Sequence, residues 1–371
     1  MRVGLNLVYL VPGEMGGTEV YARALVPLLG ARDDLEVTAF VNQEAAGTDW
    51  GPGVREVVLP VRSSNRVDWV RGEQQHLPRA AERAGCELVH SLASTAPLRG
   101  RFTRVTTVHD LHYKLVPDSH FGLRGVGMRV LVPAAARRSH RVIVDARSTV
   151  DDLREHLGTP AGKIDVVPLG VTAAPPVTPT PAPALREQLA LGDRRVLLTM
   201  SAKRPHKNLL RLLDAHARLG ADRPVLVLPG YPTPHEAELR ARAQELGTAA
   251  DVRFPAWISD EDREGLYALA DAFVFPSLYE GFGLPVLEAM ARGVPVATSG
   301  RASLAEVAGD AAVLFDPEEP AAIATAITGL LDDGDARARL RAAGRERAAA
   351  FTWERTAALT VDSYRRALSA R

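Results

Sequence analysis

The sequence predicts an α/β fold with two doubly wound parallel sheets joined by a proline-rich segment. Along its 371 residues, short runs rich in β-branched residues alternate with helical patterns. This alternation is typical of parallel sheets covered by helices on both faces. It is interrupted once, by TAAPPVTPTPAP, whose prolines suit neither a helix interior nor a central strand. A chain of this length also suits two domains better than one.

Each half of the chain supplies six predicted strands, and helical patterns end the chain. The strands of the first half are 3–9, 35–41, 87–91, 105–109, 142–145 and 164–167. Those of the second half are 196–200, 225–228, 252–254, 273–275, 295–298 and 312–315. The final helical patterns span 321–331, 336–350 and 353–368, and we expect the last to cover the first domain.

These patterns predict a first domain over residues 1–171 with a terminal helix at about 353–371, a linker over 172–185 that includes Pro175 and Pro176, and a second domain over 186–352. Open α/β sheets bind ligands beyond the carboxyl ends of their strands. We therefore expect two Rossmann-like domains that face a central cleft lined by the loops after the strands.

Charge and composition exclude several classes of protein. Lys plus Arg, 45, equals Asp plus Glu, 45, which argues against a nucleic-acid partner. Residues 99–141 hold nine Lys and Arg against two Asp, which form either a solvated helix face or a basic rim for an anionic or membrane-borne acceptor. The single cysteine, Cys86, excludes an internal disulfide and fits a reducing compartment. Without a signal-peptide or membrane-span pattern, we expect a cytoplasmic protein, at most peripheral to the inner face of the membrane.

The stretch YEGFGLPVLEAMARGVPVATS, residues 279–299, predicts a ligand-binding loop that opens a helix. Gly281 and Gly283 allow the backbone to approach a ligand, and Pro285 suits the first turn of a helix. The positive end of such a helix is a place for a diphosphate.

Two carboxylates, Glu280 and Glu288, flank this loop. Carboxylates suit vicinal hydroxyls, here of a sugar ring and a ribose. The alternative is that Glu280 caps the turn and Glu288 only complements the helix dipole. A glycosidase pair needs about 5 to 10 Å between its carboxyl groups, whereas a helical path over eight residues spans about 12 Å.

A basic loop follows the strand predicted at 196–200. Lys203, Arg204, His206 and Lys207 lie there, where cations can neutralise phosphate. A solvated surface loop is the other interpretation.

The first domain offers a glycine-rich loop and a histidine. Gly13, Gly16 and Gly17 follow the first strand, but they match neither the Walker A nor the dinucleotide spacing, and a tight turn explains them equally well. His109 and Asp110 end the strand predicted at 105–109. His109 can bond a hydroxyl, move a proton near neutral pH, or simply tie down a loop. The spacing of His112 and His120 matches no metal site.

Taken together, these residues resemble the retaining glycosyltransferases of family 4, which have the two-domain GT-B architecture. EGFGLPVLE (280–288) is similar to the family's E-x7-E motif, and VHD, PHKNL, GVPVATS and SLAEVAGDAAVLFDP follow in family order. The resemblance runs from Gly16 to the last helix. It implies metal-independent transfer of a hexose, with retention, from a GDP-, UDP- or dTDP-sugar to a hydroxyl of a glycan, lipid-linked or small-molecule acceptor. No cofactor is implied.

The resemblance also implies roles for individual residues. His109, Lys207 and Glu280 would be catalytic, and Gly16, His109 and Asp110 would lie on the acceptor side. The donor would be bound by Gly16, Gly17, Lys203, Arg204, Lys207, Trp257, Ile258, Glu280, Gly281, Phe282, Gly283, Leu284 and Glu288.

The chain departs from the family pattern at one place. Met200-Ser201 stand where members often have Gly-Arg, so Lys203 or Arg204 is expected to supply the missing charge. The run Asp260-Glu261-Asp262 is more typical of a helix cap than of a metal-binding D-x-D motif. Other GT-B enzymes, such as an epimerase or phosphorylase, and a catalytically silent sugar-nucleotide-binding protein remain alternatives.

Overall fold

The chain folds into two compact α/β units. The structure, a computed structural model, describes residues 1–116, 123–172 and 177–370. Unit 1 comprises Met1–Gly170 and Thr352–Arg371, and unit 2 comprises Val171–Phe351. His120, Pro175 and Pro176, which the sequence singled out, lie outside the described residues.

Unit 1 contains a seven-stranded sheet whose strands are all parallel. The strands are β1 (Arg2–Leu7), β2 (Glu36–Val41), β3 (Val54–Val58), β4 (Leu88–Ser91), β5 (Thr103–Thr107), β6 (Arg141–Val144) and β7 (Ile164–Val166). Their spatial order is β3-β2-β1-β4-β5-β6-β7, so the order reverses between β1 and β4. This reversal is the switch point at which doubly wound sheets bind ligands.

Helices connect the strands of unit 1. They are α1 (Gly17–Gly30), α2 (Arg66–Arg71), α3 (Leu77–Arg83), α4 (His112–Leu115), α5 (Leu123–Arg138) and α6 (Arg147–Leu157), with a π-helix at Gly72–His76 and a 3-10 turn at Ala161–Lys163. The sheet's central strands are buried. Burial on both faces explains their nearly continuous apolar sequences.

Unit 2 repeats this plan with six parallel strands. These are β8 (Val196–Leu198), β9 (Val225–Val227), β10 (Val252–Arg253), β11 (Ala272–Phe275), β12 (Val296–Ser299) and β13 (Val313–Phe315), in the order β10-β9-β8-β11-β12-β13. Its helices are α7 (Ala182–Gln188), α8 (Leu209–Ala217), α9 (His235–Glu245), α10 (Asp260–Leu269), α11 (Leu284–Ala291), α12 (Ala302–Ala308), α13 (Pro320–Asp332) and α14 (Gly334–Ala349). Short 3-10 turns occur at Pro205–Lys207, Ala249–Asp251 and Gly309–Ala311.

The last helix, α15 (Trp353–Ser369), belongs to unit 1. Thr352 caps it by accepting from the Arg355 N–H. The Tyr364 hydroxyl lies 2.8 Å from His90 Nδ1, and Thr356 Oγ1 donates to the Pro168 carbonyl at 2.7 Å. The apolar face of this helix therefore covers the first sheet, as the sequence predicts.

The predicted fold class is confirmed, and all twelve predicted strands are present with ends displaced by at most two residues. Two details were wrong. The edge strand β3 was missed because its residues are half-exposed and alternate weakly. The segment predicted as an extended linker contains the start of α7, because Pro183 lies in that helix's first turn, where a missing N–H is tolerated.

No helix in the described ranges is long and apolar enough to cross a membrane.

Candidate functional site

The loop between β11 and α11 has the local geometry that its glycines and proline predict. Gly283 precedes α11 with φ of +115°, in the left-handed region that favours glycine. A Cβ at this position would lie 2.6 Å from Leu304 Cδ2. Pro285 lies in the first turn of the helix, and Ser303 Oγ donates to the Glu280 carbonyl at 2.7 Å. The positive end of α11 therefore begins directly after the Glu280 loop.

The loop after β8 joins Lys207 to this site. Lys207 Nζ donates to Glu280 Oε1 at 2.6 Å and lies 5.3 Å from the centroid of the Phe275 ring. The two charged side chains are only 16% and 11% exposed. Strands β8 and β11 are neighbours where the strand order of unit 2 reverses. Lys207 and Glu280 thus meet at the switch point of the second sheet, beside the helix end.

Hydrogen bonds fasten the two loops to each other. Asn208, in a left-handed conformation with φ of 60°, begins α8, and its Nδ2 donates to the carbonyls of Pro276 (3.0 Å) and Pro317 (2.6 Å). The Leu278 N–H donates to the His206 carbonyl at 2.9 Å. The position of Lys207 relative to Glu280 is therefore set by the backbone on both sides.

Lys203 has partners other than Glu280, and its predicted donor contact stays a prediction. Its side chain is completely buried, and Nζ donates to the carbonyls of Gly230 (2.7 Å) and Pro255 (3.0 Å). Glu236 Oε2 lies 3.4 Å away. Burial lowers the pKa of Lys203, and Glu236 opposes only part of that effect. Arg204, by contrast, is exposed at the surface of the loop.

Glu288 lies in the second turn of α11 and is held by a tyrosine. The Tyr267 hydroxyl donates to Glu288 Oε2 at 3.0 Å. Burial raises the pKa of Glu288, although nearby Arg292 and the tyrosine hydrogen bond oppose the rise. Arg292 in turn lies 5.3 Å from the centroid of the Tyr267 ring and pairs with Glu264 at 2.6 Å. The orientation of Glu288 therefore depends on this cluster.

Trp257 and Ile258 follow β10, as predicted. Trp257 is 67% exposed, and Ile258 is partly buried. The Trp257 ring lies edge-on to Tyr231, with centroids 6.1 Å apart. Tyr231, in the loop after β9, is also exposed and was not identified in the sequence. The two rings together offer an aromatic surface for stacking.

The Asp260–Asp262 run starts α10. The Ser259 hydroxyl accepts from the Asp262 N–H at 3.1 Å, so the capping residue is Ser259 and the acidic run forms the first turn of the helix instead of its cap. Among the residues the structure describes, no group of three or more His, Cys, Asp or Glu side chains is arranged to hold a metal ion.

The glycine-rich loop of unit 1 is tied by an acidic side chain. Gly16 precedes α1 with φ of 55°, and Gly17 is the first residue of that helix. Glu19 accepts from the Gly13 N–H and from Arg23 Nε, each at 2.8 Å. The Glu19 carboxylate thus ties Gly13, in the loop before α1, to that helix.

His109 and Asp110 follow β5 in unit 1. His109 Nδ1 lies 2.7 Å from Asp145 Oδ2, and Nε2 lies 2.9 Å from the Leu92 carbonyl. Burial raises the pKa of Asp110, but His112, through its ring and its N–H, outweighs burial and holds the pKa well below its ordinary value. Both ring nitrogens of His109 therefore have partners within unit 1, as the loop-tying interpretation expects, and its catalytic and acceptor-side roles stay predictions.

A buried carboxyl near the first switch point was not identified in the sequence. Glu73, in the π-helix, accepts from Asn6 Nδ2 at 2.9 Å and from Thr95 Oγ1 at 2.8 Å. Burial raises its pKa. The sequence carries no signal for this residue, because a single Glu in a helical pattern reads as exposed.

Comparison with known proteins gives matches over both units. Residues 15–174 match the family described as "Glycosyltransferase Family 4", and residues 182–347 match "Glycosyl transferases group 1".

The chain is 32% identical over 266 residues to O-antigen chain mannosyltransferase B of Escherichia coli, covering 70% of each chain. It is 31% identical over 253 residues to MMP alpha-(1->4)-mannosyltransferase of Mycolicibacterium hassiacum, covering 66% of this chain and 59% of that protein. It is also 31% identical over 313 residues to D-inositol 3-phosphate glycosyltransferase of Thermobispora bispora, covering 81% and 69%.

Solved structures share the fold at lower identity. Sucrose-phosphate synthase from Thermosynechococcus elongatus aligns with a TM-score of 0.81 at 23% identity over the whole of both chains. HepE from Anabaena, solved with UDP and glucose, aligns with a TM-score of 0.79 at 19% identity over 98% of this chain and 99% of that one. With the sequence relatives and the two family matches, these results show that the chain belongs to the family 4 glycosyltransferases of the GT-B fold.

Proposed function

We propose that this glycosyltransferase moves a hexose, with retention of anomeric configuration, from a nucleoside-diphosphate sugar to a hydroxyl group of a glycan, lipid-linked or small-molecule acceptor. The donor is bound by unit 2. Lys207 and the first N–H groups of α11 neutralise the diphosphate, Glu280 bonds the sugar hydroxyls, and Glu288 bonds the ribose.

The meeting of Lys207 with Glu280 at the start of α11 carries this proposal. A partly buried ammonium group 2.6 Å from a carboxylate, beside the positive end of a helix, offers both signs of charge within a few ångströms. A sugar diphosphate needs this combination, because its phosphates are anionic and its hydroxyls donate hydrogen bonds.

The same charges support a reaction that uses neither a metal nor a protein base. The ammonium group and the helix N–H groups stabilise negative charge as it develops on the leaving diphosphate. An oxygen of that diphosphate, on the same face of the sugar as the acceptor, takes the acceptor's proton. The new bond forms on the face from which the diphosphate leaves, so configuration is retained.

The relatives indicate a donor. Two of them are named as mannosyltransferases, so we infer that the hexose is mannose and that GDP-mannose is the first donor to test. UDP- and dTDP-sugars remain in the same experiment.

A thermal-shift panel of GDP, UDP, ADP and dTDP with their sugars identifies the donor, because ligands of the folded state raise the melting temperature. Turnover of that donor is then followed with and without candidate acceptors, and the anomeric configuration of the product is determined by proton NMR. We expect retention, and turnover unchanged by EDTA.

Lys207→Met tests the role of the lysine. We expect kcat/KM to fall about 100-fold or more, whereas the control Lys163→Met, which removes a lysine of unit 1, leaves it unchanged. Donor consumption that requires free phosphate would indicate a phosphorylase, and interconversion of sugar isomers an epimerase. Tight donor binding without turnover on any acceptor would indicate a silent binding protein, and each of these results would overturn the proposal.

A further inference from the structure

His109 has two hydrogen-bonding partners, a carboxyl group and a backbone carbonyl, and both accept while Asp145 is ionised. Nδ1 faces Asp145 Oδ2 at 2.7 Å, and Nε2 faces the Leu92 carbonyl at 2.9 Å. A neutral imidazole has one N–H and one lone pair, so one of these contacts would set two acceptors against each other. An imidazolium ion, with an N–H on each nitrogen, satisfies both contacts while Asp145 stays ionised, whereas a neutral ring requires a protonated Asp145 that donates to Nδ1.

Asp145, when ionised, supplies the matching negative charge; burial raises the pKa of this carboxyl group, and the charge and hydrogen bond of His109 oppose that rise. Its side chain is 2% exposed and that of His109 is 15% exposed, so water screens the pair poorly. The other carboxylate oxygen, Oδ1, has no hydrogen-bond partner among the described residues. The imidazolium ion is therefore the principal group that offsets burial of the Asp145 charge.

The remaining titratable groups around His109 come from its own loop and two other elements. Asp110 is the next residue, Tyr21 of α1 lies edge-on with ring centroids 5.0 Å apart, and His90 of β4 interacts with it electrostatically. Burial pulls the pKa of His109 down. The charge and hydrogen bond of Asp145, with the Leu92 carbonyl and Asp110, outweigh burial and raise it.

His90 provides an internal contrast. Its ring nitrogens lie 2.8 Å from the hydroxyls of Tyr364 and Thr107, which can donate or accept as a neutral ring requires. Burial, with a smaller contribution from the charge of His109, lowers the pKa of His90 to about 3. The partners of these two buried histidines of unit 1 therefore favour opposite charge states.

We propose that Asp145 is a positioning residue that holds His109 as a fixed imidazolium ion, so that His109 contributes a permanent positive charge after β5 and does not act as a proton-transferring base. The catalytic consequence rests on the proposed function, but the charge state does not. A protonated ring with both N–H groups engaged has no lone pair with which to accept a proton.

Nitrogen-15 NMR of the histidine rings in the full chain tests the charge state directly. His109→Gln assigns the His109 signals. In the wild-type protein, we expect both His109 nitrogens to remain protonated at pH 7.5, while His90 stays neutral down to pH 5. A non-protonated His109 nitrogen at pH 7 would overturn the inference, whether or not the protein transfers sugar.

Asp145→Asn, which keeps the shape of the side chain, should lower the midpoint of the His109 titration by about one to three pH units. The control Asp151→Asn removes an exposed carboxylate of α6 and should leave the midpoint unchanged. Circular dichroism establishes that both variants are folded, and an unchanged midpoint in folded Asp145→Asn would refute the role of Asp145.

A pH profile then links the charge to turnover. A histidine base would make kcat/KM rise between pH 6 and 8, and we expect no such rise in the wild type. Asp145→Asn, in contrast, should lose turnover as its His109 deprotonates. If the wild-type rate instead rises through the His109 titration measured by NMR, His109 is a base and the inference fails. Absence of any turnover would count against the proposed function alone, since the NMR result stands by itself.

Discussion

Lys203 and Lys207 belong to one loop, yet the structure places their ammonium groups in different surroundings. The ammonium group of Lys203 is enclosed by protein, whereas that of Lys207 lies at the start of α11 beside Glu280. Replacing each lysine by methionine, which keeps most of the aliphatic chain, should separate the two roles. We expect Lys203→Met to destabilise unit 2 and Lys207→Met to weaken donor binding in a stable protein.

The contacts of Lys203 set the size of the effect. Its Nζ donates to the carbonyls of Gly230 and Pro255 and lies near Glu236. Two hydrogen bonds from a charged donor are worth roughly 1.5–3 kcal/mol each, and methionine leaves both carbonyls without that partner. Removing a buried charge recovers part of its desolvation penalty. The free energy of unfolding of unit 2 should therefore fall by about 3 kcal/mol.

Lys207 has one hydrogen bond to an acidic partner where Lys203 has two to carbonyls, so its replacement should lower the free energy of unfolding about half as much, by roughly 1.5 kcal/mol. Urea unfolding measures both values, and hydrogen exchange of peptides over residues 225–260 shows whether the Lys203 effect lies in the loops after β9 and β10. Wild-type stability combined with lost nucleotide binding in Lys203→Met would refute the reasoning, because it would make Lys203 a ligand-binding group.

Tyr267→Phe removes the hydrogen bond to Glu288 and should raise the pKa of Glu288 further. When the pH is lowered, nucleotide affinity should therefore begin to fall at a higher pH in this variant than in the wild type, as calorimetry would show. Gly283→Ala places a side chain at a positive φ and should lower the free energy of unfolding by about 1–3 kcal/mol, measured in urea. Asp145→Asn should lower the melting temperature most below about pH 6.5. Below that pH, the stabilisation that the raised pKa of His109 gives the wild type is fully present. The difference in melting temperature between wild type and variant should narrow as the pH rises through that pKa, as calorimetry from pH 5 to 9 would show.

Each of these expectations has a clear contrary result. If nucleotide affinity has the same pH dependence in Tyr267→Phe as in the wild type, the Tyr267 hydrogen bond does not affect the pKa of Glu288. Wild-type stability in Gly283→Ala would mean that the loop relaxes without strain. A stability difference for Asp145→Asn that grows towards alkaline pH would have the wrong sign for a protonated His109.

The fold could be predicted because its signals are local. Strands and helices are recognised from the spacing of apolar residues within a short segment. The start of α11 is likewise indicated by Gly283 and Pro285, which lie within three positions. The edge strand β3 was not predicted because its half-exposed residues carry no clear strand pattern. They form a strand by hydrogen bonding to the neighbouring strand β2. The prolines near residue 183 were ambiguous because proline interrupts a helix interior but is tolerated in the first turn of a helix.

The environment of a charged side chain is not local, and there the predictions were less accurate. Lys203 is buried by residues from the loops after β9 and β10, at least 27 positions further along the chain. Nothing in the basic loop itself distinguishes it from Lys207. The sequence could identify the loop as one that follows a strand, but not which of its cations faces outwards.

The pair His109 and Asp145 shows that some non-local signals can be read from topology. Strands β5 and β6 are parallel neighbours, and Thr107 lies opposite Ile143. Two residues further along each strand, His109 and Asp145 are therefore level with each other, although 36 positions separate them. Aligning the ends of these adjacent strands would bring the histidine and the carboxylate together from the sequence alone.

The two ion pairs also differ in a way that bears on function. His109 has an acceptor on each nitrogen, so its hydrogen-bonding capacity is filled by its own unit. The ammonium group of Lys207 has three N–H groups, and its one hydrogen bond among the described residues goes to Glu280. A cation that has N–H groups without acceptors can hydrogen-bond an incoming phosphate. A cation whose N–H groups all have acceptors can affect a ligand only through its electric field. The same sheet topology thus produces, in unit 2, a group suited to binding a diphosphate and, in unit 1, a fixed charge that an approaching ligand cannot titrate.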